Sequence, residues 1–165
     1  GNASSFHIYG EALKRGAGID LTHIPYNGES ASIVDLLSGQ VVSSFNSIGT
    51  AMPHLKSGRV RALALVGSVR SKVLPDVPTI AESGYSDIYG SVWFGLVAPS
   101  ATPREAVLAM QTELARILGS AEVRRKLLAQ GLYPAAGSSE EFAAHLRLES
   151  ARFGKVIAAA GIKAE

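Results

Sequence analysis

The segment from Leu74 to Gly84 constrains this chain most, because it contains two closely spaced prolines. Pro75 and Pro78 each fix φ and remove a backbone donor, so the segment cannot be a helix or a central strand. Apolar runs at Val60–Val66 and Trp93–Pro99 flank it, and each predicts a buried strand. The sequence therefore predicts two strands joined by a rigid surface crossing, which suits a chain that leaves one lobe and enters another.

The composition is that of a globular protein: 165 residues, 47% apolar and 18% charged, with a formal net charge of +2. The run Arg124-Arg125-Lys126 lies in a helical pattern and predicts a solvated helix face, so we expect no nucleic-acid partner. The absence of cysteine excludes disulfides and thiol chemistry. No apolar run approaches the ~20 residues of a membrane span, and we recognise no signal peptide.

The first half alternates helix and strand signals, which predicts an α/β fold with a mostly parallel sheet flanked by helices. We expect at least four strands, with Val60–Val66 central because it is the most continuously apolar. Glycines close each predicted helix. The predicted helices run from Ser4 or Ser5 to Arg15, Ser30 to Ser38 and Gly49 to Lys56. The other predicted strands are Ile19 to Tyr26, Gln40 to Phe45 and, later in the chain, Trp93 to Pro99.

The last part of the chain predicts three helices. Capping boxes at Thr102–Glu105 and Ser138–Glu141 open two of them, and Ser120 opens the helix between them. We expect Val107, Met110, Leu114 and Ile117 to share one face of the first of these helices. Trp93 and Phe94, in the preceding strand, predict core packing, although either side chain could instead line a cleft.

Several motifs in order along the chain resemble the tripartite tricarboxylate transporter receptors, or Bug proteins, which are extracytoplasmic solute-binding proteins of bacteria. The resemblance covers nearly the whole chain and corresponds to the later part of these receptors. The motifs are His23–Gly28, Asp35–Val41, Arg61–Ala64, Leu74–Thr79 and Trp93–Pro99.

The resemblance implies a type II periplasmic-binding-protein fold. Residues 1–91 would form the second, ligand-binding lobe. Residues 92–165 would supply a crossover strand and the C-terminal helices of a truncated first lobe. The implied function is periplasmic capture of a small carboxylate and its delivery to the membrane subunits of a tripartite transporter, without enzymatic activity, cofactor or metal. Because the first lobe would be incomplete, we expect uncovered apolar helix faces and self-association of the chain.

Six residues are candidate ligand contacts, because each lies beside a predicted strand end or helix start. They also have structural interpretations: helix capping for the serines at the first helix, strand-to-helix linkage at Tyr26, and a turn at Asn46. Asn46 stands where the family often has an acid, in Phe-Asp-Asn. We expect the six to converge on one rim: Ser4, Ser5, Tyr26, Asn27, Asn46 and Ser47.

Two other functions compete with the receptor. One is the ligand-sensing effector domain of a transcription regulator with a similar two-lobed fold, whose helix-turn-helix would precede this part of the chain. The other is a hydrolase using serine and histidine, but no recognised spacing of Ser, His and acid is present. The four histidines show no metal-binding spacing and are expected to be structural.

Overall fold

The computed structural model describes residues 1–86, 88 and 90–162. These residues form six α-helices, each ending at or beside a glycine, a serine or a glutamine. The helices predicted in the first half are confirmed within two residues at each end. The bounds are α1 (Ser5–Ala17), α2 (Glu29–Ser38), α3 (Ile48–Lys56), α4 (Arg104–Gly119), α5 (Ala121–Ala129) and α6 (Ser139–Ala160).

Local capping explains where these helices begin and end. Gly18 and Gly39 adopt left-handed φ values of 63° and 79° at the ends of α1 and α2, a conformation that suits glycine. At the start of α6, the Ser138 N–H donates to Glu141 Oε2 at 2.6 Å, and the Glu141 N–H donates to Ser138 Oγ at 3.1 Å. The capping box predicted there is confirmed.

The capping box predicted at Thr102 is wrong. Pro103 is the N-cap of α4, with φ of −55° and ψ of 137°, and no side chain caps this helix. Proline therefore lies one position before the first helical residue, Arg104. The carbonyl of Pro103 accepts the first bonds of the helix, from the N–H groups of Ala106 and Val107.

The predicted parallel sheet is absent from the described residues, and the strand predictions are wrong there. One isolated parallel bridge joins Leu65 to Thr79. Apolar side chains of the predicted strands are solvent-exposed, by 94% at Val42 and 65% at Leu63. A strand is stabilised by paired neighbours and a covered face more than by its own residues. These segments have strand-like composition without that cover.

The proline-rich crossing folds back on the apolar run that precedes it. The Leu65 N–H donates to the Pro78 carbonyl, and the Ile80 N–H donates to the Leu65 carbonyl, both at 2.8 Å. Thr79 and Ile80 are buried. The run predicted as the central strand therefore contacts the crossing through these two bonds.

Side chains fix the end of this crossing. The Thr79 N–H donates to Glu82 Oε2 at 2.7 Å, and the Glu82 N–H donates to Thr79 Oγ1 at 3.1 Å. Arg70 Nε lies 3.1 and 3.0 Å from the two carboxylate oxygens of Glu82, and Arg70 Nη1 donates to the Pro75 carbonyl at 3.2 Å. These hydrogen bonds, from Arg70 first and Thr79 second, lower the pKa of Glu82 from 4.5 to about 2.

The chain divides into two compact units. The N-terminal unit comprises residues 1–92 and 152–165, of which 87, 89 and 163–165 lie outside the described residues. Its core lies around Ile8 and Tyr9 of α1, with Ile33 of α2 also buried. Tyr9 packs against Phe45 and Phe153, at ring-centroid distances of 6.4 and 6.1 Å. The assignment of residues 1–91 and 92–165 to two receptor lobes stays a prediction.

The second unit comprises residues 93–151. Trp93 packs edge-on against Phe142 and His145, at ring-centroid distances of 5.6 and 5.2 Å. Phe94 is 80% exposed, so the prediction that it packs in a core is wrong. The apolar face predicted for α4 is largely uncovered, since Met110, Leu114 and Ile117 are exposed. The described part of this unit offers those side chains too little neighbouring structure to bury them.

Candidate functional site

The starts of three helices lie near one another in the N-terminal unit. The N-cap residues are Ser4 for α1, Gly28 for α2 and Ser47 for α3. The first N–H groups of a helix have no partner inside the helix and carry partial positive charge, which favours a carboxylate nearby. This part of the N-terminal unit is the candidate site.

Ser4 and Ser5 lie at the start of α1. Ser4 Oγ accepts a hydrogen bond from the His7 N–H at 3.3 Å, so its side chain caps the helix. Ser5 is the first helical residue and is half-buried. A Cβ placed on Gly1 would lie 3.5 Å from the Tyr26 carbonyl oxygen. The loop before α1 therefore lies against the segment that leads into α2.

Tyr26 is held by a contact within the protein. Its hydroxyl donates to Asp35 Oδ2 at 2.8 Å, and this bond is the main reason that the pKa of Tyr26 is raised. The Asn27 side chain is exposed. Gly28 follows with φ of 100° and ψ of 165°, which favours glycine, and it gives α2 no side-chain cap. The N–H groups at the start of α2 are therefore not satisfied by their own N-cap residue.

Glu29 joins the starts of α2 and α3. Its Oε2 accepts a hydrogen bond from the Ser47 N–H at 2.6 Å. Ser47 in turn caps α3, since its Oγ accepts from the Thr50 N–H at 3.4 Å. Sequence reasoning missed this contact of Glu29, because 18 residues separate it from Ser47. A carboxylate from the protein itself already lies at the start of α3.

Asn46 lies in a small polar network. Its Oδ1 is 3.2 Å from Ser32 Oγ, and its Nδ2 donates to Ser44 Oγ at 2.9 Å. Ser32 is buried, and its Oγ is also 2.9 Å from the Glu29 carbonyl oxygen. Both ends of the Asn46 amide are thus engaged inside the protein, which leaves one amide hydrogen for another acceptor. Sequence reasoning missed Ser32 and Ser44, whose place in this network depends on packing between α2 and the segment before α3.

His7 and His23 form a stacked pair next to the loop that precedes α1. The rings of His7 and His23 are parallel within 2°, with centroids 3.7 Å apart. His7 Nδ1 accepts a hydrogen bond from the Ala3 N–H at 3.2 Å. Burial, and next the neighbouring His7, lower the pKa of His23. The neutral ring of His23 is therefore favoured beside its partner.

The structure brings the six predicted contacts into two neighbouring groups. Ser4 and Ser5 lie at the start of α1, whose preceding loop contacts Tyr26, and Asn27 follows Tyr26 directly. Asn46 and Ser47 lie beside the start of α2 through Ser32 and Glu29. Their role as ligand contacts stays a prediction. Within residues 1–86, 88 and 90–162, no cluster of three or more His, Cys, Asp or Glu side chains could hold a metal ion, and no helix is long and apolar enough to cross a membrane.

Comparison with known proteins identifies the family. The family model described as "Tripartite tricarboxylate transporter family receptor" matches residues 1–162, and the chain belongs to this family. Protein BugT of Bordetella pertussis is 31% identical over 160 residues, covering 97% of this chain and 49% of BugT. A UPF0065 protein encoded between clcB and clcD in Pseudomonas knackmussii is 31% identical over 158 residues, covering 95% of this chain and 94% of that protein. The chain thus spans about half the length of BugT.

Solved structures give the same fold. A protein from R. palustris solved with adipate has a TM-score of 0.90 and 34% identity, over 96% of this chain and 53% of that one. MatC from Rhodopseudomonas palustris, solved with bound malate, has a TM-score of 0.83 and 30% identity, over 93% of this chain and 53% of MatC. The periplasmic binding protein BugD has a TM-score of 0.86 and 26% identity, over 98% of this chain and 55% of BugD. These matches do not favour a transcription regulator.

Proposed function

We propose that this chain is the ligand-binding part of a periplasmic receptor that captures a small carboxylate and delivers it to a tripartite tricarboxylate-type membrane transporter. The observation that carries the proposal is the grouping of the starts of α1, α2 and α3 in the N-terminal unit. Relatives of similar fold were solved with adipate and with malate, which are both dicarboxylates. The proposed activity is binding and delivery without catalysis, cofactor or metal.

The start of α1 is the proposed position of the ligand carboxylate. The N–H groups of Ser5 and Phe6 precede the first intrahelical bonds, and the Ser5 hydroxyl adds a donor. Asn27 is exposed and offers a further side-chain amide. Oriented N–H groups and amides can bind a carboxylate without arginine or lysine. We expect Tyr26, Asn46 and Ser47 to shape the rim, since each also bonds within the protein.

The negative charge of Glu29 should limit where the second carboxylate of a ligand can lie. Its carboxylate already accepts the Ser47 N–H at the start of α3. A second negative group brought to that position would be repelled by Glu29. We therefore expect a dicarboxylate to direct one carboxylate to the start of α1 and the other away from Glu29.

Calorimetric titration of the chain with adipate and with malate tests the proposal. Adipamide, the uncharged diamide of adipate, serves as a control and should bind far more weakly. Ser5→Ala should weaken carboxylate binding by about tenfold, the effect of one charge-assisted hydrogen bond. Ser38→Ala is a matched control, because Ser38 is exposed at the far end of α2 and bonds to the Asp35 carbonyl. Equal loss in both variants would contradict the site.

A longer protein that contains this chain gives a second test. The chain spans about half of BugT, and a two-lobed receptor encloses its ligand from both sides. The longer protein should bind the carboxylate much more tightly, because each charge-assisted hydrogen bond from a second lobe adds about 1.5–3 kcal/mol. Equal affinity in the two proteins would mean that the whole site lies within this chain.

A further inference from the structure

The loop before α1 adopts a conformation that its sequence does not favour. Ala3 has a φ of 54°, and it is the only non-glycine residue with positive φ among the described residues. This left-handed region is sterically unfavourable for a residue with a Cβ and persists when surrounding contacts hold it. What fixes Ala3 therefore also fixes the approach to the start of α1.

His7 supplies that contact. The Ala3 N–H donates to His7 Nδ1 at 3.2 Å, and the His7 N–H donates to Ser4 Oγ at 3.3 Å. This is a reciprocal arrangement like a capping box, with histidine at the third helical position in place of Glu or Gln. It differs in one respect, since the side chain reaches the residue before the N-cap and not the N-cap itself.

The surroundings of His7 hold its ring in place. The side chain is only 13% exposed, and the ring stacks on His23 with a centroid distance of 3.7 Å. Its other nitrogen, Nε2, lies 4.0 Å from Glu11 Oε1. Because Nδ1 accepts a bond, the neutral ring carries its hydrogen on Nε2, on the side of Glu11.

We propose that His7 is a positioning residue of the carboxylate site, whose neutral ring holds Ala3 so that the start of α1 faces the ligand. The link to ligand binding rests on the function proposed above. Protonation would place a hydrogen on Nδ1, opposite the Ala3 N–H, and would remove the acceptor. The titratable groups beside the ring are His23, which stacks on it, and Glu11, whose Oε1 lies 4.0 Å from Nε2.

Three variants separate this role from simple packing. His7→Asn places its Oδ1 near the position of Nδ1, so it can accept the Ala3 N–H but cannot be protonated. His7→Gln places its amide one atom further out, near the position of Nε2. His7→Ala removes both the acceptor and the ring. His23→Gln is the control for the loss of stacking, since it leaves the acceptor on His7.

The first measurement is NMR of the Ala3 amide, which needs no ligand. Solvent exchange of this amide should accelerate in His7→Ala and His7→Gln and stay slow in His7→Asn. Equal exchange in His7→Ala and the unsubstituted chain, or failure of His7→Asn to protect Ala3, would overturn the proposal.

The second measurement is adipate binding by the same variants. His7→Ala should weaken adipate binding by about tenfold, and His7→Asn should restore it to within about threefold. Adipate affinity that is unchanged in His7→Ala would overturn the link between His7 and the ligand. If the unsubstituted chain binds no adipate, the function proposed above fails, while the exchange of the Ala3 amide still decides whether His7 positions the loop.

Discussion

Substitution of Gly95 by alanine should destabilise the second unit through one contact. A Cβ at this position would meet the ring of Phe142, with two further ring atoms at 2.8 Å, so the ring must move by more than half an ångström. That ring packs edge-on against Trp93 at 5.6 Å. Overpacking of this kind costs about 1–3 kcal/mol. The backbone of Gly95 does not have positive φ, so alanine itself should contribute about 0.4–1 kcal/mol of stability.

The expected net loss is therefore about 0–2.6 kcal/mol in the free energy of unfolding. Urea unfolding monitored by tryptophan fluorescence measures it, because Trp93 is the only tryptophan and lies at the contact. Gly119→Ala is the matched control, since nothing lies within 4 Å of its added Cβ, and it should stabilise. Gly95→Ala in a Phe142→Ala background should also stabilise. A loss of the same size in both backgrounds would refute the argument.

Three further predictions concern charge and association. Glu82→Gln should lower the urea midpoint at neutral pH. The folded-state pKa of Glu82 is about 2, below the ordinary 4.5, so its ionised form stabilises the fold only above that range. The difference in urea midpoint between Glu82→Gln and the unsubstituted chain should therefore disappear as pH falls from 4.5 towards 2. A difference in midpoint that stays constant with pH would contradict this. The lowered pKa of His23 favours its neutral form in the folded chain, so the urea midpoint should fall as pH drops below about 6.5. The midpoint should fall less steeply with pH in His23→Gln. The same dependence of midpoint on pH in both proteins would argue against this. Exposed apolar side chains on α4 should make the chain self-associate, and sedimentation velocity that shows a monomer at all concentrations would exclude this.

The helices could be predicted because their signals are local. Apolar periodicity, Ser47 and Ser120 as N-caps, and the left-handed glycines Gly18 and Gly39 act within one or two helical turns. The strands could not, because a strand depends on residues far away in the sequence. Val60–Val66 has strand-like composition, yet its one bridge is from Leu65 to the proline-rich crossing.

In the candidate site, too, the local features could be predicted and the long-range contacts could not. The sequence indicated Ser4 as a helix start and Ser47 as part of the segment just before a helix, and both are caps in the structure. It gave no indication that Glu29 would accept the Ser47 N–H, since 18 residues separate them. The role of His7 was also hidden, because a histidine at the third helical position is not a usual capping signal. Contacts of this kind depend on how neighbouring segments pack.

The proline-rich crossing is rigid for more reasons than its prolines. Pro75 and Pro78 restrict φ, but their carbonyls also accept hydrogen bonds, from Arg70 and from Leu65 respectively. Thr79 and Glu82 satisfy each other's N–H groups in the manner of a capping box, although none of the described helices begins there. Because Arg70 also binds both carboxylate oxygens of Glu82, loss of the Glu82 side chain leaves Arg70 Nε and the Thr79 N–H without these acceptors. The crossing therefore depends on Arg70, which the proline pattern alone does not indicate.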